Sequence, residues 1–154
     1  MSISKILKET EQELHNILNY WSENTIDKKN GGFIGEIDYN ENKNPNAEKG
    51  SVMNGRILWT FSAAFAETKN PEHYEIAEIA FNEIKSKFFN TSQKGLFWSI
   101  NANGTAKDTK NQIYALAFAI YGLSEFYKIS ENMEALGLAI TLYQSIQNQS
   151  FDKK

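Results

Sequence analysis

Residues 54–65 read Asn-Gly-Arg-Ile-Leu-Trp-Thr-Phe-Ser-Ala-Ala-Phe, apolar on nearly every helical face yet carrying Arg56 near the start. A helix apolar all round is enclosed by other elements or by lipid. Lipid is a poor fit, because no apolar run in the 154 residues approaches the length of a membrane span. A cation among such neighbours needs a partner or a function. A set of helices walling this one in, with Arg56 reaching into a central cavity, meets both demands.

The rest of the chain supplies the walls. Ile3, Ile6, Leu7, Leu14, Ile17, Leu18 and Trp21 recur at helical spacing and predict a one-sided amphipathic helix over 2–22. The run Asp27-Lys28-Lys29-Asn30-Gly31-Gly32 breaks it, and residues 33–38 read as a short strand. Ser51 is a candidate cap for the apolar helix, drawn over 51–67. Asn70-Pro71 pairs an N-cap with proline at the first helical position. It opens a one-sided helix over 71–89 whose apolar face carries Tyr74, Ala77, Phe81, Ile84 and Phe88. Residues 96–100 and the turn 101–104 read as a hairpin. A second all-round helix is predicted over 111–127, and a last, largely one-sided helix over 132–147.

One-sided helices face water and all-round helices do not, so the alternation predicts an all-α fold of two concentric layers. It is also a repeat. Glycine-led strands at 32–37 and 95–100 each precede an all-round helix. Superposing Glu67 on Glu125 places Arg56 on Tyr114 and Asn54 on Gln112, so Tyr114 is expected to face the same cavity as Arg56. Phe151-Asp152-Lys153-Lys154 echoes Ile26-Asp27-Lys28-Lys29, as if a third copy were beginning. Repeat folds bury their faces against neighbouring units, and two inner helices cannot be enclosed by three outer ones. The expectation is therefore the N-terminal part of a longer toroid, residues 1–154 stopping before a third glycine loop. An intact small helical domain is the alternative.

Charge and composition narrow the function. A net charge of −3 provides no electrostatic case for nucleic acid or an anionic membrane surface. The absence of cysteine removes disulfides, thiolate nucleophiles and cysteine metal sites, and it fits a reducing, cytoplasmic setting. The N-terminus leads into an amphipathic pattern, not an apolar signal core. No metal-ligand spacing, phosphate loop or Ser/His/Asp grouping is present.

The stretches Gly31–Asp38, Asn54–Ala64 and Asp108–Tyr121, in this order and spacing, resemble the N-acylglucosamine 2-epimerase family, most of all its cellobiose 2-epimerase branch. The resemblance implies an (α/α)6 barrel, of which this chain supplies about five helices with short β-hairpin loops, the remainder of the barrel lying downstream. It implies inversion at C2 of a reducing-end sugar, a small-molecule substrate, without a cofactor. It also implies roles for Arg56 as stabiliser of substrate and enediolate, for Trp59 as a tryptophan near the sugar and for Tyr114 as an active-site tyrosine. The family's catalytic histidines are expected on later inner helices, past residue 154. Leu116 departs from the family pattern, which has glutamine after the tyrosine.

Each candidate has a plainer reading. Arg56 can form a buried salt bridge within the bundle. Tyr114 can be a core tyrosine, and Trp59 and Trp98 can stack on a sugar or pack in the core, the latter favoured for Trp98. Glu36 and Asp38 share one face of a short strand, as a glycosidase pair would, but a solvated loop edge accounts for them. His15 and His73 match no family histidine and read as surface residues. The non-enzymatic alternative for the whole chain is a helical scaffold or carbohydrate-binding module.

Overall fold

The computed structural model describes residues 2–150. Five helices carry the fold: α1 (Ile3–Asn24), α2 (Ser51–Thr68), α3 (Pro71–Glu83), α4 (Ile113–Ser130) and α5 (Met133–Ser150). Seven short strands decorate the loops: β1 (Glu36–Ile37), β2 (Lys43–Asn44), β3 (Lys49–Gly50), β4 (Phe89–Asn90), β5 (Gly95–Leu96), β6 (Ser99–Ile100) and β7 (Ala106–Asp108). All five predicted helices form. The third ends early, its last turn loosening into a π-helical segment over Ile84–Phe88. The strand expected over 33–38 contracts to β1, paired antiparallel with β2, while Phe33 bridges back to Ile26. The hairpin forms from β6 and β7, and β3 joins its other edge.

The helix termini follow local chemistry. Ser2 caps α1, its hydroxyl accepting from the Lys5 N–H. Asn70 caps α3 at the Glu72 N–H, with Pro71 in the first turn. Ser51 is not the cap of α2. Gly50 holds that position with no side-chain bond, and the Ser51 hydroxyl instead donates to the Trp98 carbonyl, which also accepts the Ser51 N–H. The residue expected to cap the helix therefore ties its start to the second loop.

The two all-round helices lie against each other at their smallest residues. A Cβ on Gly55 would stand 2.9 Å from the Phe118 backbone, and one on Gly122 would stand 2.5 Å from the Gly55 carbonyl oxygen. The outer helices α3 and α5 pack against this pair, closing a core of Leu58, Phe61, Phe81, Leu116, Leu123 and Phe126. α1 is different. Only Leu18 of it is buried, and Ile3, Ile6, Leu7, Leu14 and Ile17 stay exposed. A self-contained bundle would cover that stripe; these helices are an arc of an (α/α)6 toroid, with the outer-inner alternation read in the sequence.

The repeat is real, but its register differs from the one drawn in the sequence. α2 and α4 end alike: Lys69 and Glu131 each sit in the left-handed region, at φ 55° and 52°. Thr68 and Ser130 each bond back to the carbonyl four residues earlier and accept the N–H of Asn70 and Asn132. Those asparagines then cap α3 and α5 alike. The loops repeat a like turn, one residue further apart: Asp27 accepts from the N–H groups of Lys29 and Asn30, as Asn90 does from Ser92 and Gln93. On this register Arg56 corresponds to Phe118, Trp59 to Tyr121 and Val52 to Tyr114. The sequence offset had slipped by about one helical turn. Both helices are apolar all round, so hydrophobic period alone matches a one-turn slip as well as the true register. The echo at 151–154 lies outside the described residues.

The two glycine loops are pinned by polar groups of different character, buried ions in the first and a half-buried amide in the second. In the first, Lys49 (1% exposed) reaches 3.0 Å to the Asp27 carboxylate and 2.5 Å to the Gly31 carbonyl. Burial pushes the Asp27 carboxyl up, but the Asn30 backbone and side chain, the Lys49 ammonium and the Lys29 N–H outweigh it and hold it down to about 2. Glu83 lies over Gly32 in the same cluster, its carboxyl raised by burial against the pull of Lys49 and Lys87. In the second loop the neutral Asn111 side chain takes the place of Lys49, accepting the Leu96 N–H over Gly95.

His73 is buried, contrary to the surface reading, because it turns inward from the first turn of α3. Its Nδ1 stands 2.9 Å from the Thr68 hydroxyl and its ring meets Phe61 edge-on. That hydroxyl already donates to the Ala64 carbonyl, so it accepts from Nδ1–H. His15 is exposed on α1, as its polar neighbours imply.

Three outcomes test this description. Gly55→Ala should cost about 2 kcal/mol, whereas Gly137→Ala, with open space around its added methyl, should gain about 0.5–1 kcal/mol from helix propensity; urea denaturation midpoints compare them. Lys49→Met leaves the Asp27 carboxylate buried without its cation and should cost about 3–5 kcal/mol by the same measurement. Burial lowers the His73 pKa below its ordinary value. The unfolded chain therefore takes up a proton before the folded one does, and stability should fall as pH drops through about 6.5. His73→Gln should flatten that part of the pH profile.

Candidate functional site

Each all-round helix leaves one strip uncovered. On α2 the strip holds Arg56 and Thr60, both exposed, with Trp59 half-buried beside them, while Ile57, Leu58 and Phe61 turn into the core. On α4 it holds Tyr114 and Tyr121, 60% and 52% exposed, with Phe118 half-buried between them. The expectation of burial on all sides therefore fails on one face of each rod, and that face carries the candidate residues.

Arg56 lines a cleft of about 540 Å³ between α1 and α2, with Trp21, Val52, Met53, Ile57 and Phe61 among its walls. Among the described residues it makes no ion pair: the carboxylates of Glu9, Asp27, Glu48, Asp108, Glu125 and Glu134 all pair with lysines. The buried salt bridge is thus excluded within the described residues. A guanidinium carries five donors in a planar fork. Set in an apolar wall, it offers those donors to whatever enters the cleft.

Arg56 and Tyr114 are not repeat partners, and Tyr114 does not line the Arg56 cleft. It sits in the first turn of α4, at the level of Val52, and packs edge-on against Phe118 with ring centroids 4.9 Å apart. Trp59 lies flat against Tyr121, 4.9 Å between centroids and 11° between planes. The sequence reading missed Tyr121. Its spacing from Tyr114 and Phe118 would have placed it on that face, but only the corrected register brings it opposite Trp59. The register also explains Leu116, which is fully buried and corresponds to Asn54, itself buried and donating to the Gly50 carbonyl.

The core-packing reading favoured for Trp98 fails, since it is 37% exposed on its loop. Glu36 and Asp38 are structural. Glu36 accepts from Asn44 across the β1–β2 hairpin, and Asp38 closes the turn by accepting from Asn40 and Asn42. The Asn42 side chain, its backbone N–H and that of Asn40 hold the Asp38 carboxyl below the usual range. A group so committed is a loop edge, not half of an acid–base pair. Among the described residues, no helix is long and apolar enough to cross a membrane.

Comparison with known proteins agrees with this architecture. The family profile described as N-acylglucosamine 2-epimerase (GlcNAc 2-epimerase) matches residues 31–154. A cellobiose 2-epimerase of Bacteroides fragilis is 44% identical over 97% of this chain and 39% of its own length, and one of Dictyoglomus turgidum is 34% identical over 93% and 37%. The solved cellobiose 2-epimerase of Bacillus thermoamylovorans superposes with a TM-score of 0.94 at 33% identity, over 98% of this chain and 39% of that one. A D-mannose isomerase superposes at 0.82 and 22% identity, a likeness of fold alone. The chain spans about two fifths of the length of these relatives. With its inner helices, glycine loops and open strip in the order described, the chain belongs to the N-acylglucosamine 2-epimerase family.

Proposed function

We propose that these 154 residues form the first arc of a sugar 2-epimerase toroid that inverts C2 of a reducing-end glucose or mannose unit, as in a cellobiose 2-epimerase. The observation that carries this reading is Arg56, an arginine with no ion pair among the described residues, on the one uncovered strip of an otherwise buried helix. In such a reaction the opened sugar loses its C2 proton to a base and becomes an enediolate, and an acid returns a proton to the other face. The developing oxyanion gains most from a charge already fixed in place. Arg56 supplies it, Trp59 borders the sugar on the same strip, and Tyr114 contributes from the first turn of the neighbouring inner helix.

The proton-moving groups come from elsewhere in the toroid. Histidine suits them, since its ordinary pKa lies near neutrality. Neither histidine here is placed to move that proton. His73 is buried against Thr68, and the exposed His15 ring bonds to the Glu11 carbonyl on an outer helix. This arc binds and stabilises but does not itself shuttle the proton.

The test is a chimera in which this chain replaces the matching N-terminal segment of the Bacteroides fragilis relative, assayed with cellobiose for the mannose-ended disaccharide. Turnover is expected from the chimera and none from the 154 residues alone. Arg56→Ala in the chimera should lower kcat by about 10²- to 10³-fold with the melting temperature kept. Clear turnover by the isolated chain, or full activity of Arg56→Ala, overturns the assignment.

A further inference from the structure

We infer that Tyr121 is a positioning residue for the sugar site, holding the Trp59 indole at a set angle beside Arg56; the inference rests on the epimerase reading above. Trp59 and Tyr121 occupy corresponding places on α2 and α4, as the matched helix ends show. Their rings lie nearly parallel, 11° apart in plane and 4.9 Å between centroids. Offset stacking of this kind is favourable beyond the area it covers. It matters most here because Tyr121 is half exposed, on a strip where little else restrains an aromatic ring.

The geometry also explains why the contact is specific. α2 and α4 approach at Gly55 and Gly122, where any side chain would strike the opposite backbone. That approach sets the distance between the rods. Tyr121 precedes Gly122 directly, and Trp59 lies one turn beyond Gly55, so the crossing brings the two rings face to face. Trp59 also lies three residues after Arg56, and such residues are surface neighbours on a helix. Trp59 does not line the Arg56 cleft itself; it faces α4, so an indole turned to another rotamer would change the strip between the two inner helices. The second aromatic pair, Tyr114 edge-on to Phe118, sits one turn toward the start of α4 on the same strip. Tyr121 acts through Trp59, and no contact between the phenol and the reacting carbons is needed.

The experiment uses Tyr121→Ala and Tyr121→Phe in two settings. In the full 154-residue chain, near-ultraviolet circular dichroism includes the coupled rings: the difference from the parent should be clear for Ala and small for Phe, with melting temperatures close to the parent. In the chimera, Tyr121→Ala should raise KM for cellobiose about 3- to 10-fold, the scale of one lost stacking contact, with kcat within about twofold. Tyr121→Phe should restore KM, because stacking needs the ring and not the hydroxyl. Unchanged KM in the Ala variant, or failure of Phe to rescue it, overturns the inference. Arg56→Ala separates the two claims. If it abolishes turnover while Tyr121→Ala behaves as the parent, the positioning role alone is wrong; if it leaves turnover intact, the epimerase reading is wrong.

Discussion

The contact between Gly55 and Gly122 governs the geometry of the arc. Two helices that carry apolar side chains on every face ordinarily pack about 8–10 Å apart. Here each offers a glycine at the crossing, and a methyl on either would overlap the other's backbone. The approach does more than fill space. It seats Leu58 against Gly122 and leaves Arg56, Tyr114 and Tyr121 exposed on the uncovered strip. The uncovered strip is what remains of each inner rod after packing has used the rest.

The loops solve a second problem by two chemical routes. A glycine turn brought under a helix exposes backbone groups that require partners. The first loop uses ions: Lys49 satisfies the Gly31 carbonyl and Asp27 together, with Glu83 overhead. The second uses an amide, Asn111 meeting the Leu96 N–H. Buried ion pairs give little net stability against apolar replacements, yet breaking one is costly. The ionic loop is thus the more brittle of the two. It is also the one that leads into the helix carrying Arg56, so its integrity bears on where the guanidinium sits.

Much of this was legible without coordinates. The five helices, the Asn70 cap with Pro71 after it, the hairpin turn at 101–104 and the outer-inner alternation all follow from turn chemistry and hydrophobic period. Other residues misled for identifiable reasons. Ser51 looked like a cap, but its hydroxyl was taken by a carbonyl from a distant loop. His73 looked superficial because it falls in the first turn after Pro71, yet that turn points it at Phe61. Lys49 gave no sign of burial, since lysine is rarely enclosed and its partner Asp27 belongs to another segment.

The sequence by itself determined which helices are inner and which are outer, because hydrophobic period separates one-sided from all-round helices. Only the tertiary structure decided the level along each rod. A 3.6-residue period repeats with every turn, so a uniformly apolar helix slid by one turn presents the same pattern. Loop lengths, the left-handed residues Lys69 and Glu131 and the glycine crossing remove that degeneracy, and they place Tyr121, not Tyr114, against Trp59. Period is a local property of the chain; register between helices is set by contacts that exist only after folding.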